Sequence, residues 1–212
     1  VSLNGAMMGP EAIVFNRLAY KFGITQEKAF MTGDGVQKPL GVFTASPDGI
    51  PTSRDVSSGN TTTAIGADGL INAKMSCKAQ YRRKSSFRWM FHRDGVTNVA
   101  KLKDANGQYI WRTGLIVGEP DMLLGHPIME SEYAPSVATA AGSSGTGAAS
   151  SGYFACVGDF SKGYYIADRA GLGIAMYDQI NAATNQNTYI GLWETDGKPV
   201  LEEALVRARA ST

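Results

Sequence analysis

Apolar residues near the start of the chain recur at helical spacing. Val14, Leu18 and Phe22 stand four apart, with Phe15 beside them. Pro10 suits a first helical turn because its missing N–H would be unpaired there, and Glu11 complements the positive end of the helix dipole. With Gly23 as a C-terminal cap, the pattern predicts a helix over 10–22. A second, short helix follows, capped by Thr25, with Ala29 and Phe30 inward and a stop at Gly33-Asp34-Gly35. Residues 39–43 leave as an extended segment. Residues 44–66, rich in Ser, Thr, Gly and Pro, predict a long exposed loop. Asp68 then caps a helix that carries Leu70, Ile71, Met75 and Tyr81.

The second half changes period. Phe87 to Phe91 alternates and is aromatic, which predicts a strand. Asp94 is the expected cap of a helix carrying Val96, Val99 and Leu102, with Lys101 and Lys103 at its C-terminal end. Asn106-Gly107 marks a tight turn, and Tyr109-Ile110-Trp111 the strand leaving it. Leu124-Gly125-His126-Pro127 reads as a turn before a strand. Residues 136–152 are almost entirely small and polar. They hold too few large apolar groups to offset their own ordering entropy, so they read as a mobile surface loop. Strands resume at Phe154–Val157, Tyr164–Ala167 and Gly173–Tyr177, followed by two long ones, Thr188–Trp193 and Pro199–Ala208. No repeat is evident. The irregular order of strands and helices predicts an α+β fold over a doubly wound one.

Composition narrows the function classes. The 212 residues, 43% hydrophobic, suffice for one sizeable core or two small ones sharing an interface. Twenty Lys and Arg against nineteen Asp and Glu leave no net basic field to hold nucleic acid. Cys77 and Cys156 match no metal-ligand spacing and read as two small buried hydrophobes. No apolar run approaches the roughly 20 residues of a membrane span, so no membrane partner is expected. The chain opens Val1-Ser2-Leu3-Asn4 without a start methionine, so a longer parent product is an expectation.

The candidate chemistry is sparse. A phosphate cradle needs a strand before its glycines and a helix after them, whereas Gly33-Asp34-Gly35 follows a helix. His92 and His126 lie far apart without Cys, Asp or His at metal spacing. No serine sits in a Gly-x-Ser-x-Gly elbow. Nothing nominates a metal, a cofactor or a catalytic group. Arg82-Arg83-Lys84, the densest basic cluster, reads as a solvated helix end, with contact to nucleic acid as the functional alternative.

Five segments in order carry a resemblance. Ala29-Phe30-Met31-Thr32-Gly33-Asp34-Gly35 continues to Lys38-Pro39-Leu40-Gly41-Val42. The aromatic strand Phe87–Phe91 is followed by Leu102-Lys103-Asp104-Ala105-Asn106-Gly107-Gln108-Tyr109. Then come Leu123-Leu124-Gly125-His126-Pro127-Ile128, Tyr133-Ala134-Pro135, and Val157-Gly158-Asp159-Phe160 before Tyr165-Ile166-Ala167-Asp168-Arg169. Over residues 9–178 this order resembles the major capsid proteins of tailed phages, the Hong Kong 97 type. The run before Phe154 looks like an insertion, and the last strands match loosely.

The resemblance implies a peripheral domain, with a spine helix and long strands, and an axial domain. Its boundaries would be 1–35 peripheral, 36–170 axial and 171–212 peripheral. The family's N-terminal arm and extended loop would lie upstream of Val1. The implied function is that of a shell subunit and not an enzyme: it self-assembles into pentamers and hexamers of an icosahedral phage or prophage capsid that encloses DNA without sequence-specific binding. Scaffold, protease and portal proteins are the further partners implied, and the virion, assembled in the bacterial cytoplasm, the location. Gly33, Asp34, Gly35, Gly158 and Asp159 would act as turns that set domain geometry. Asn187 and Glu194 match the region that in some relatives forms a Lys–Asn cross-link assisted by a glutamate. An encapsulin-like compartment shell is the near alternative. A small-molecule enzyme with a phosphate-binding glycine turn is the alternative from another class.

Overall fold

The computed structural model describes residues 10–60, 65–104, 106–110, 121–136, 152–181, 184 and 186–210. Its elements are α1 (Pro10–Thr32), β1 (Asp55–Val56), α2 (Ala67–Met75), α3 (Ala79–Arg82), β2 (Phe87–Phe91), α4 (Arg93–Ala100), β3 (Met122–Leu123), β4 (His126–Glu130), β5 (Tyr153–Asp159), β6 (Tyr164–Asn181), β7 (Gln186–Pro199) and β8 (Leu205–Arg209). The fold is α+β.

Two sheets organise the chain. The larger runs β1-β8-β5-β2-β4-β3. β8 is antiparallel to β5 and β5 to β2, while β1–β8 and β2–β4 are parallel. Alternation along its strands feeds two cores. Phe87, Trp89, Phe91, Val157, Val206 and Ala208 meet Leu70 and Ala73 of α2 and Val96 and Val99 of α4 on one face. Met90, Cys156, Tyr153 and Leu205 meet Val42, Phe43 and Ile50 on the other. Trp89, fully buried, also donates its Nε1–H to the Leu123 carbonyl at 3.1 Å. Both edge strands, β1 and β3, have two residues, which leaves little edge for unwanted pairing. Cys77 and Cys156 are buried free thiols, and burial pushes both up, Cys77 to about 11.

The second sheet is a long ribbon, β6 paired with β7 alone, and α1 lies along one of its faces. Phe15 meets Tyr189 with ring centroids 5.9 Å apart, Phe22 meets Trp193 at 6.2 Å, and Phe30 meets Tyr164 at 6.0 Å. Between the first two contacts the seven helical residues from Phe15 to Phe22 rise about 10–11 Å and the four strand residues from Tyr189 to Trp193 about 13 Å, so helix and strand stay nearly in step there.

The structure corrects several expectations. Helix α1 is continuous through Gly23, so the two predicted helices are one. A mid-helix glycine costs about 1 kcal/mol, and packing of Phe22 on Trp193 outweighs it. Thr25 caps nothing, because its hydroxyl donates back to the Lys21 carbonyl at 2.9 Å inside the helix. Gly66, not Asp68, precedes α2, and Asp68 sits in its first turn. That helix stops at Met75, before a separate single turn, α3. His92 replaces Asp94 as the cap of α4: its Nδ1 accepts from the Asp94 N–H at 3.1 Å.

Residues 44–66 are not a uniformly exposed loop. Ile50 is fully buried, residues 55–56 form β1, and the Asn60 side chain ties Gly66 N–H to the Arg209 carbonyl. Tyr109 forms an isolated bridge to Lys103 instead of a strand, and Trp111 lies outside the described residues. So does the predicted mobile loop, apart from Ser136 and Gly152 at its ends. Tyr164–Ala167 and Gly173–Tyr177 merge into β6, whose register shifts absorb extra residues. The predicted strand Pro199–Ala208 is broken by a 3-10 turn at Glu202–Ala204, and β8 beyond it leaves the ribbon for the six-stranded sheet.

Candidate functional site

The glycine turn after α1 ends the helix and sends the chain back along the β6–β7 ribbon. Gly33 N–H still donates to the Ala29 carbonyl at 2.8 Å, which closes the helix. Asp34 Oδ1 accepts from Val36 N–H at 3.0 Å, and its Oδ2 meets Lys38 Nζ at 3.1 Å. The Val36 N–H first, and Lys38 after it, hold this carboxyl below its ordinary value. Gly35 has φ +80°, a conformation that L side chains resist. The chain then returns: Leu40 N–H donates to the Gly197 carbonyl of β7 at 2.8 Å, and Tyr164 Oη–H donates to the Leu40 carbonyl at 3.0 Å.

A cleft of about 330 Å³ opens here, lined among others by Asp34, Lys38, Asp48, Asp196 and Lys198. It faces the C-terminal end of α1, where the helix dipole is negative. Three carboxylates line it beside two lysines. A phosphate would meet repulsion from both sources, which argues against the phosphate-site alternative. Among the described residues no three His, Cys, Asp or Glu side chains are grouped to hold a metal.

Asp159 closes β5. Its Oδ1 accepts from Ser86 Oγ at 2.6 Å, from Ser161 Oγ at 2.7 Å and from Ser161 N–H at 3.2 Å, and so caps the turn Phe160–Gly163. Gly158 beside it has no room for a Cβ, which would strike the Ala204 carbonyl. Burial pushes the Asp159 carboxyl up, and the hydrogen bonds from Ser86 and Ser161 more than reverse this, so it lies below its ordinary value. A carboxyl depressed in the folded state contributes stability above the unfolded value of 3.8, and that contribution is lost as pH falls through the folded value. Asp159→Asn is therefore expected to be less stable than wild type at pH 7, with the gap narrowing below about pH 4. Urea unfolding at both pH values checks this, and a gap that stays constant counts against it.

Asn187 and Glu194 both lie exposed on β7. Asn187 Nδ2 reaches Met176 Sδ at 3.8 Å, and Glu194 pairs with Arg169 at 3.2 Å. Seven residues separate them, so they point to opposite sides of the strand, roughly 23 Å apart. The structure does not bring them together within one chain. His92 and His126 are likewise separate: His92 caps α4, and His126 packs its ring 4.5 Å from that of Phe87.

The ribbon face turned away from α1 is partly apolar and, among the described residues, uncovered. Leu192 is 62% exposed, Ile190 47% and Tyr177 46%. Opposite Leu192 and Ile190 stand only Gly173 and Ala175, which cover little.

One constellation carried no sequence signal. Fully buried Arg207 on β8 donates from Nε to Asp55 Oδ1 at 2.7 Å and from an Nη to the Pro51 carbonyl at 3.1 Å. Tyr153 Oη–H donates to Asp55 Oδ2 at 2.6 Å, and its ring lies 4.5 Å from the guanidinium. Sequence separations of 98 and 152 residues hide this triad until the sheet forms.

Comparison with known proteins places this architecture. A family model described as the phage capsid family matches residues 3–209. The chain belongs to the phage capsid family. It is a structural protein, and the family places it in the virion capsid. No curated protein sequence matches it. Among solved structures, the capsid of an empty GTA particle is 24% identical with a TM-score of 0.79, covering 99% of this chain and 69% of that one. Gordonia phage Cozz follows at 13% identity and TM-score 0.62, covering 100% and 68%. The SrpI encapsulin of Synechococcus elongatus PCC 7942 follows at 12% and 0.65, covering 98% and 68%. At these identities the likeness speaks for the fold, which is that of capsid subunits of the Hong Kong 97 type.

Proposed function

We propose that this chain is the shell-building subunit of an icosahedral phage or prophage capsid, joining copies of itself into pentamers and hexamers around a DNA genome. The supporting observation is the uncovered apolar face of the β6–β7 ribbon. A two-stranded ribbon is marginal by itself in water, and among the described residues only one of its faces is packed. Repeated copies of one surface, related by closing symmetry, would cover the other. In this reading α1, β6 and β7 form the peripheral unit. The six-stranded sheet with α2 and α4 forms the axial unit, and the turns at Gly33-Asp34-Gly35 and Gly158-Asp159 join the two; this reading departs from the expected boundary between 170 and 171, because all of β6 goes with the ribbon and β8 with the sheet. Scaffold, protease and portal proteins are the further partners, and assembly takes place in the host cytoplasm.

The test is negative-stain electron microscopy with light scattering on protein made from its complete reading frame. Closed shells, or rings of five or six, are the expected result. A monomer at every salt and crowding condition would overturn the reading. The same preparation on a denaturing gel tests a Lys–Asn cross-link that uses Asn187 and Glu194: monomer alone disposes of it. The encapsulin likeness favours one second reading, a compartment shell around an enzyme. Shells that co-purify with nuclease-sensitive DNA favour the phage reading, and shells filled with one protein favour the compartment.

A further inference from the structure

The corner where α2 meets the β3–β4 hairpin combines two features that the shell reading does not use. The first is an exposed apolar centre. Ile71 and Met75 lie one turn apart on the outer side of α2 and are 42% and 57% exposed. Leu124, at the hairpin tip, is 38% exposed. Lys74 Nζ donates to the Leu124 carbonyl at 2.7 Å, which ties the helix to the hairpin and holds these side chains in one neighbourhood. Leu124 has φ +52° and Gly125 φ +81°, the pattern of a two-residue turn in which Asn-Gly is favoured. A leucine held in that left-handed conformation and still partly exposed is an unusual choice for the turn and is consistent with a contact outside the fold.

The second feature is a cationic rim. Arg82 reaches back to Met75, with an Nη 2.8 Å from its Sδ. Lys74 and Lys78 flank the apolar centre, and Arg83 and Lys84 continue the charge into solvent. Glu203 engages Lys78 at 2.6 Å. His126 registers the field: burial first, then Lys74 and Arg82, hold its imidazole below the ordinary value. Asp68, one turn before Ile71 on α2, and Glu203 are the acidic exceptions, and the remaining cations leave the rim net positive; an apolar centre with such a rim fits a protein-docking surface, with flexible methionine as the adaptable contact. Nucleic acid backbone would use the rim and leave Ile71, Met75 and Leu124 without a role.

We propose that this corner docks an acidic amphipathic helical segment of a partner protein. Its apolar stripe would lie on Ile71, Met75 and Leu124, and its carboxylates would meet Lys74, Arg82 and Arg83, Lys78 being engaged by Glu203. Helix-in-groove recognition of this kind reads anchors at i, i+3, i+4 and i+7, and the charged rim sets orientation and association rate.

The test uses the full chain, unassembled, and a fluorescent synthetic peptide with leucine at every third and fourth position and glutamate elsewhere. A scrambled peptide of the same composition and a random-sequence DNA duplex are the comparisons. Anisotropy titrations are expected to show the amphipathic peptide binding at least about tenfold tighter than the scrambled one. Met75→Glu is expected to weaken binding by about tenfold or more, and Lys74→Ala more modestly, with less salt dependence. Met75 is exposed and Lys74 half-buried, and circular dichroism with the unfolding midpoint checks that each variant folds. Equal binding of the two peptides, binding indifferent to Met75→Glu, or no peptide binding overturns the proposal. Tight duplex binding that survives Met75→Glu would assign the rim to nucleic acid instead. Shell formation is scored separately by microscopy, so failure here is distinguishable from failure of the capsid reading.

Discussion

Asp55→Ala is expected to lower the unfolding free energy by about 3–5 kcal/mol, a large share of a domain's total. The reason is what remains. Arg207 is fully buried, and its guanidinium would keep the Pro51 carbonyl but lose its counter-ion. Tyr153 Oη–H would lose its acceptor as well. Denaturant unfolding followed by tryptophan fluorescence measures the shift. Replacing both charges by apolar residues, Asp55→Leu with Arg207→Met, is expected to recover much of the loss, because the penalty lies in an unpaired buried charge more than in a missing attraction. If the single variant shifted by less than about 1 kcal/mol, the pair would not be the clamp of β1 onto β8 that its geometry describes.

Ile190→Glu combined with Leu192→Glu is expected to abolish shell assembly while leaving the stability of the single chain within about 0.5 kcal/mol per site. Both residues face solvent in the isolated subunit, so little folding energy is at stake there. In a shell the same face would be covered, and burying two carboxylates without partners costs several kcal/mol at every repeat of the contact. Light scattering and microscopy on the full-length protein read the assembly, and thermal unfolding reads the fold. Normal shells from the double variant would remove this face from the lattice and leave the capsid reading resting on family membership and fold.

Much of the fold was legible because local pattern and tertiary demand agreed. The alternating aromatics of Phe87–Phe91 mark a strand with two different faces, and the structure buries Phe87, Trp89 and Phe91 on one side and Met90 on the other. The amphipathic spacing of Val14, Leu18 and Phe22 marks a helix, which the structure extends. Gly33-Asp34-Gly35 marks its stop, because Gly35 takes a conformation closed to most residues. Errors arose where a long-range contact overrode a local signal. Gly23 is a sound stop signal by propensity, yet Phe22 on Trp193 carries the helix through it. Asp94 is misplaced for a local reason instead: it sits in the first turn, and the His92 imidazole two residues before it accepts from its N–H.

The sequence alone determined the α+β class, the positions of most strands and helices, the two buried cysteines, and a family resemblance that depends on the order of short motifs. These follow from period, turn chemistry and composition, which act within a few residues. Only the tertiary structure decided that β8 leaves the ribbon to lie between β1 and β5, that Arg207 finds Asp55 across 152 residues, and that Ile71, Met75 and Leu124 share one corner. The physical reason is range. Strand pairing, charge burial and surface juxtaposition depend on which distant segments close upon one another, and that closure is a property of the whole chain.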